Sequence, residues 1–216
     1  MYVPRHFEET DIGVLHALIK SQPLGTWVTQ GAAGLLVNHI PFLIDAGRGE
    51  HGTLIGHVAR ANPVWQSFSK DIASVVVFQG AQAYITPSWY PSKHAHGKAV
   101  PTWNYAVVHA HGVPCTFEDK DRLLRHVRQL SDLHESKQAV PWSVSDAPRD
   151  FIDTMLGAIV GIEIPIAELV GKWKLSQNRP EADKLGVVAG LLAREDAPSK
   201  EMASLVKKHV SRKADD

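Results

Sequence analysis

The 216-residue chain has a single cysteine, Cys115, so no intrachain disulfide can form and the cross-linked framework of a small secreted domain is excluded. It has no surplus charge: 23 lysines and arginines balance 23 aspartates and glutamates. No global field therefore draws it to nucleic acid or acidic lipid, and any such contact has to come from a local patch. No stretch approaches the roughly 18 consecutive apolar residues of a membrane span. The opening Met1-Tyr2-Val3-Pro4-Arg5-His6 lacks the basic stretch and apolar core of a signal peptide. These absences predict a cytoplasmic protein with no membrane contact. Apolar residues make up 44% of the chain, enough to bury an ordinary globular core.

The apolar periodicity predicts a mixed architecture. Asp11 can cap a short helix whose Val14, Leu15, Leu18 and Ile19 share one face, and Pro23 ends it. Residues 24–29 and 35–44 read as strands around a turn with Gly31 and Gly34. The second of these is apolar on both faces. Leu36, Ile40, Phe42 and Ile44 lie on one side, and Leu35, Val37, His39, Pro41 and Leu43 on the other. One face can fill a barrel; the other requires a helix, a ligand or a second subunit as cover.

Further strands are expected over 53–59, 74–78, 82–86 (the last two flanking Gly80) and 103–113, with one or two more in 159–175. Helices are expected from Asn62-Pro63, over 119–137, from Ala147-Pro148 to about Leu156, from Pro180, and from about Pro198 to Arg212, with a polar loop over 87–101. Six or seven strands interspersed with helices, without regular βαβ alternation, indicate an α+β barrel. The simplest division is a domain over 1–193 and a helical tail over 194–216.

Gly47-Arg-Gly-Glu-His-Gly52 matches a dinucleotide-binding string, but a strand pattern follows it where the phosphate site needs a helix N-terminus, so it reads as a hairpin turn. Gly56-His57-Val58-Ala59-Arg60-Ala61-Asn62-Pro63 is more informative. A strand ends, an arginine follows and a capped helix begins, which suits an anion bound by helix N–H groups, Arg60 and His57. The same residues also read as a surface arginine beside a plain cap. In Gly171-Lys-Trp-Lys-Leu-Ser-Gln-Asn-Arg179, Trp173 offers a flat apolar surface, and Ser176, Gln177 and Asn178 can bond a polar ring edge, or serve as a strand end and cap. Val100-Pro-Thr-Trp-Asn-Tyr105 sets two aromatics around an asparagine, as for a flat ligand or a subunit interface.

Twelve histidines, including His94-Ala-His96 and His109-Ala-His111, lack accompanying thiols and any H-E-x-x-H spacing, so no metal site is assigned. No catalytic triad or carboxylate pair is assigned either.

Taken together, Met1-Tyr-Val-Pro-Arg-His-Phe7, His39-Ile-Pro41, the Gly56–Pro63 segment, Pro87-Ser-Trp-Tyr90, Val100–Tyr105 and Lys172–Arg179 resemble the PaiB-type FMN-binding negative transcriptional regulators, in order and from Met1 to about Leu191. The resemblance implies a split β-barrel of the pyridoxamine-phosphate-oxidase-like type, with peripheral helices, that pairs as a homodimer around FMN. By that analogy His57, Arg60 and Asn62 would take the phosphate. Trp103, Asn104 and Tyr105 would approach from the partner subunit, and Lys174, Ser176 and Gln177 would border the ring system. DNA as a partner is implied by the resemblance alone, since no helix-turn-helix is evident. The alternative is a flavin-dependent oxidoreductase or a haem-handling split-barrel enzyme.

Overall fold

A computed structural model describes residues 1–211. The strands in chain order are β1 (Glu8–Glu9), β2 (Leu24–Gly31), β3 (Gly34–Pro41), β4 (Leu43–Asp45), β5 (Thr53–Ala59), β6 (Ser74–Ile85), β7 (Thr102–Gly112), β8 (Cys115–Phe117), β9 (Ile159–Pro165) and β10 (Glu168–Lys174). The helices are α1 (Ile12–Ser21), α2 (Val64–Ser67), α3 (Pro91–His96), α4 (Lys120–Glu135), α5 (Arg149–Gly157), α6 (Glu181–Leu192) and α7 (Ala197–Ser211). Residues 212–216, the end of the expected helical tail, lie outside the described residues. Among those described, no helix is long and apolar enough to cross a membrane.

The chain divides into two compact units. The first comprises, among the described residues, 1–18, 79–108 and 170–211. In it the strands lie in the order β1-β10-β7-β6. Asp11 Oδ1 accepts from the Gly13 and Val14 amides at 2.8 and 3.3 Å and so starts α1 as its position predicts. The Pro87–Tyr90 motif is an anchor on α6. Gly186 and Gly190 leave room for Trp89, for an added Cβ would lie 2.0 Å from the Trp89 carbonyl oxygen at Gly186 and 2.2 Å from its indole at Gly190. Asp183, buried in α6, accepts from Ser92 N at 3.0 Å and Ser92 Oγ at 2.6 Å, which holds the start of α3. The expected polar loop is thus a 3-10 turn followed by a short helix.

The second unit comprises residues 19–78 and 109–169. Here β6-β2-β3 form one ladder and β4-β5-β9-β8 another. β2 and β3 pair antiparallel from Leu24 opposite Pro41 to Gly31 opposite Gly34. Pro41, which carries no N–H, ends β3, and the Phe42 amide bonds the Pro23 carbonyl at 2.8 Å instead. The one strand expected over 35–44 is therefore two. Conversely, β6 runs unbroken through Gly80, which has no left-handed φ, and the two strands expected there are one. Gly49 and Gly52 do take left-handed φ values of 81° and 88°, as the hairpin reading of that glycine string requires.

β3 alternates between partly covered and open positions. Ile40 is 5% exposed, whereas Leu35 and Val37, on the opposite face, are 70% and 55% exposed. The two-sided apolar pattern is real, and one side is bare in the single chain.

Adding a methyl group at Gly186 meets backbone, and adding one at Gly157 meets nothing within 4 Å. Gly186→Ala is expected to destabilise the protein by about 1–3 kcal/mol through overpacking, while Gly157→Ala gains up to about 1 kcal/mol of helix propensity. Urea unfolding of the two variants distinguishes them; equal effects would remove the Trp89 anchor from the description.

Candidate functional site

In the second unit, the end of β5 builds a corner with several converging polar groups. Ala59 pairs with Ile159, and the Arg60 amide bonds the Ala158 carbonyl at 2.7 Å. The chain then turns, with Asn62 N on the Ala59 carbonyl at 2.9 Å. Asn62 Oδ1 accepts from Val64 N at 3.0 Å, so the side chain does start α2. However, α2 is a single turn of four residues, because Phe68 swings back to pack edge-on against Trp27 at 5.7 Å and Ser69 N bonds the Gln30 carbonyl at 2.7 Å. A helix that short has little dipole to offer an anion. The capacity of this corner to hold an anion rests on side chains.

Arg60 is also used internally. Its Nε donates to the Gly157 carbonyl at 2.8 Å, Nη2 to the Ile159 carbonyl at 3.2 Å and Nη1 to Glu118 Oε2 at 2.6 Å. A guanidinium has five N–H donors, so two remain, on a side chain that is 39% exposed. Asn62 Nδ2 gives one of its two protons to Asn38 Oδ1 at 2.8 Å. His57, half-buried, places Nδ1 3.0 Å from His126 Nε2 on α4. A cleft of about 310 Å³ is lined by Asn38, His39, Ile40, His57, Val58, Ala59, Asn62 and Ile159. A second cavity in the same unit, about 450 Å³, has an apolar wall of Phe42, Leu43, Ile44, Ile55 and Leu133 with Lys20, Asp45 and Gln129 also on its lining.

The residues around Trp103 and Lys174 belong to the first unit. Strand alternation turns Trp103 outward, 49% exposed, with Nε1 on Gln82 Oε1 at 3.1 Å and its ring edge-on to Tyr84 at 6.1 Å. It turns Asn104 inward, fully buried, where Nδ2 donates to Ser176 Oγ at 3.0 Å. Ser176 has a φ of 65°, uncommon for a residue with a side chain, and this bond holds it in that turn. Asn104 and Ser176 thus face each other. Tyr105 lies under the Lys172 ammonium, 5.3 Å from its ring. Gln177 clips its own backbone, accepting from Leu175 N at 2.6 Å and donating to the Trp173 carbonyl. Lys174 is half-buried at the end of β10. The structure brings together His57, Arg60 and Asn62 in one unit and Asn104 and Ser176 in the other.

Sequence reasoning missed Asn38, Glu118 and His126. Asn38 was detectable as a polar residue within the apolar run of β3. His126 was detectable as a histidine on the apolar face of α4, between Leu123 and Val127. Among the described residues, no group of three or more histidines, cysteines and acidic residues is arranged to hold a metal.

Burial lowers the pKa of both histidines, and burial together with the adjacent His57 takes His126 from 6.5 to about 4. The unfolded chain therefore binds more protons than the folded one between about pH 6.5 and 4, and stability falls as the pH drops through that window. The full loss from His126 is about 3 kcal/mol, at roughly 1.4 kcal/mol per pKa unit. Urea midpoints of the wild type minus those of His126→Gln, followed from pH 7 to pH 4, should show this acid-linked difference; a difference independent of pH would contradict a buried neutral His126.

Over residues 1–168 the chain matches a family described as an FMN-binding domain. It is 31% identical to the protease synthase and sporulation protein PAI 2 of Bacillus subtilis, over 95% of this chain and 96% of that one. Its fold is similar to that of a conserved hypothetical protein of Mycobacterium tuberculosis, with a TM-score of 0.58 at 13% identity, over 84% of this chain and 95% of that one. It is likewise similar to a FAD and haem binding protein of Mycobacterium smegmatis, with a TM-score of 0.56 at 13% identity, over 77% of this chain and 73% of that one. FMN carries a phosphate and a flat ring with polar edges. The spare Asn62 N–H group and His57 at the cleft suit the phosphate. The chain has a split β-barrel fold of α+β type, takes FMN as its cofactor, and belongs to the PaiB-type FMN-binding family.

Proposed function

We propose that this protein is a cytoplasmic, FMN-holding regulator of the PaiB type that works as a homodimer. The observation that carries the flavin site is the cleft at the end of β5, lined by His57 and by Asn62, whose amide keeps one spare proton, and followed in the chain by the partly exposed Arg60. In this reading the phosphate sits at that corner. The isoalloxazine lies against Trp103 of a second copy, with Tyr105 behind it and Lys174 and Gln177 at the ring edge. Asn104 and Ser176 act indirectly: their mutual hydrogen bond fixes the backbone on either side of Trp103 and Gln177.

The bare face of β3 supports the dimer. Leu35 and Val37 stand exposed on a strand whose other face is packed, and a second subunit removes that apolar surface from water. Bound FMN supplies one- or two-electron chemistry. The protein's own groups bind, orient and shield it. In this reading the regulation is of transcription, with DNA as the partner; the likeness to PAI 2 of Bacillus subtilis supports a regulatory role.

Protein purified with FMN should show flavin absorbance and run at twice the 23.7 kDa of one chain. Trp103→Ala, an exposed position that leaves the core intact, should weaken FMN binding about tenfold by loss of a stacking face, equivalent to roughly 1.4 kcal/mol. Unchanged affinity would remove Trp103 from the site. Rapid bleaching of the flavin by a nicotinamide nucleotide, with no salt-sensitive retention of promoter DNA, would replace the regulator with the oxidoreductase reading.

A further inference from the structure

His126 has no place in the reading above, yet it is 3% exposed and sits directly behind the histidine that lines the cleft. His57 Nδ1 and His126 Nε2 are 3.0 Å apart, with the rings nearly edge to face at 72°. Two nitrogens at that distance need one proton between them, because two lone pairs repel and two N–H groups collide. Both rings are uncharged near neutral pH, since burial disfavours the cation. That leaves two arrangements. If His57 donates from Nδ1, His126 carries its own proton on Nδ1. If His126 donates from Nε2, its Nδ1 is a bare lone pair and the His57 proton is on Nε2.

The surroundings of His126 Nδ1 decide between them. That atom is sealed from solvent and has no hydrogen-bond partner. A buried N–H without an acceptor is rarer and costlier than a buried lone pair without a donor. The second arrangement is therefore favoured, and the tautomer of one ring sets that of the other.

We propose that His126 is a positioning residue that locks His57 in the Nε2–H tautomer, so that His57 offers the cleft a hydrogen-bond donor for an oxygen of the flavin nucleotide. This rests on the flavin reading of the cleft for its ligand, but not for the tautomer. The oxygen belongs either to the phosphate or to the ring system, and both accept the same N–H.

Long-range proton–nitrogen NMR of the full-length, nitrogen-15-labelled protein reads the tautomer with no ligand present. His57 is expected to be protonated on Nε2 and unprotonated on Nδ1. In His126→Leu, which removes the donor and keeps an apolar filling, His57 should become a mixture of tautomers and FMN affinity should fall about tenfold. His126→Gln, whose amide can donate to His57 Nδ1, should restore both. A loss seen with FMN and inorganic phosphate but not with riboflavin assigns the bond to the phosphate, whereas equal losses for FMN and riboflavin assign it to the ring. A wild-type His57 protonated on Nδ1, or a Leu variant with unaltered tautomer and affinity, would overturn the inference. A wild type that binds no FMN while keeping the Nε2–H tautomer would overturn the flavin reading and leave the histidine lock standing.

Discussion

The corner at the end of β5 depends on one side chain, Arg60. Its guanidinium closes on the carbonyls of Gly157 and Ile159 and on the Glu118 carboxylate, its amide bonds Ala158, and its own carbonyl accepts from Trp65 Nε1 at 2.9 Å. The last strand residues of β5, the start of β9, the end of α5 and the single turn of α2 are thereby held in one register. Hydrogen bonds from a charged donor are stronger than neutral ones, while the solvent-open Arg60–Glu118 pair contributes about 0–1 kcal/mol. The Arg60 bonds reinforce a turn that is also held by the Asn62 amide on the Ala59 carbonyl and by the Asn62 side chain on Asn38. The cleft, lined by Ala59 and Ile159, thus lies next in the chain to an arginine already fixed in place.

A second layer of order comes from histidine chemistry. His57 faces the cleft with a ring whose protonation is opposed by burial. A neutral donor discriminates among ligands by geometry, whereas positive charge at the corner comes from Arg60. This separates attraction, supplied by a partly exposed guanidinium, from orientation, supplied by a half-buried imidazole and an amide. In the other unit the same division recurs: the exposed indole of Trp103 provides surface, and the buried Asn104–Ser176 pair fixes the backbone that presents it.

Most of the secondary structure was legible from local chemistry. Asp11 and Asp119 cap the helices they precede, with Asp119 Oδ1 2.8 Å from Arg122 N, and β5 occupies the residues its alternation predicts. The apolar character of both β3 faces was readable as a demand for cover, and one face is bare in the single chain. What local pattern could not supply was long-range satisfaction of polar groups. Arg60 reads as free until Gly157, 97 residues on, is seen to take its Nε–H. Asn104 gives no sign in its own segment that Ser176, 72 residues on, takes its amide proton. Gly80 reads as a turn because glycine often marks one, but here it leaves room for Leu18, which an added Cβ would approach to 3.0 Å. The length of α2 was set by Trp27 and Gln30 drawing Phe68 and Ser69 away, a tertiary contact that no capping rule anticipates.

The most direct measurement of the central claim is a crystal structure of the protein with FMN bound. The account predicts the phosphate at the end of β5, its oxygens within hydrogen-bond distance of His57 Nε2, the Asn62 amide and the outward N–H groups of Arg60. A phosphate held elsewhere, with this cleft filled by nothing but solvent, would contradict it.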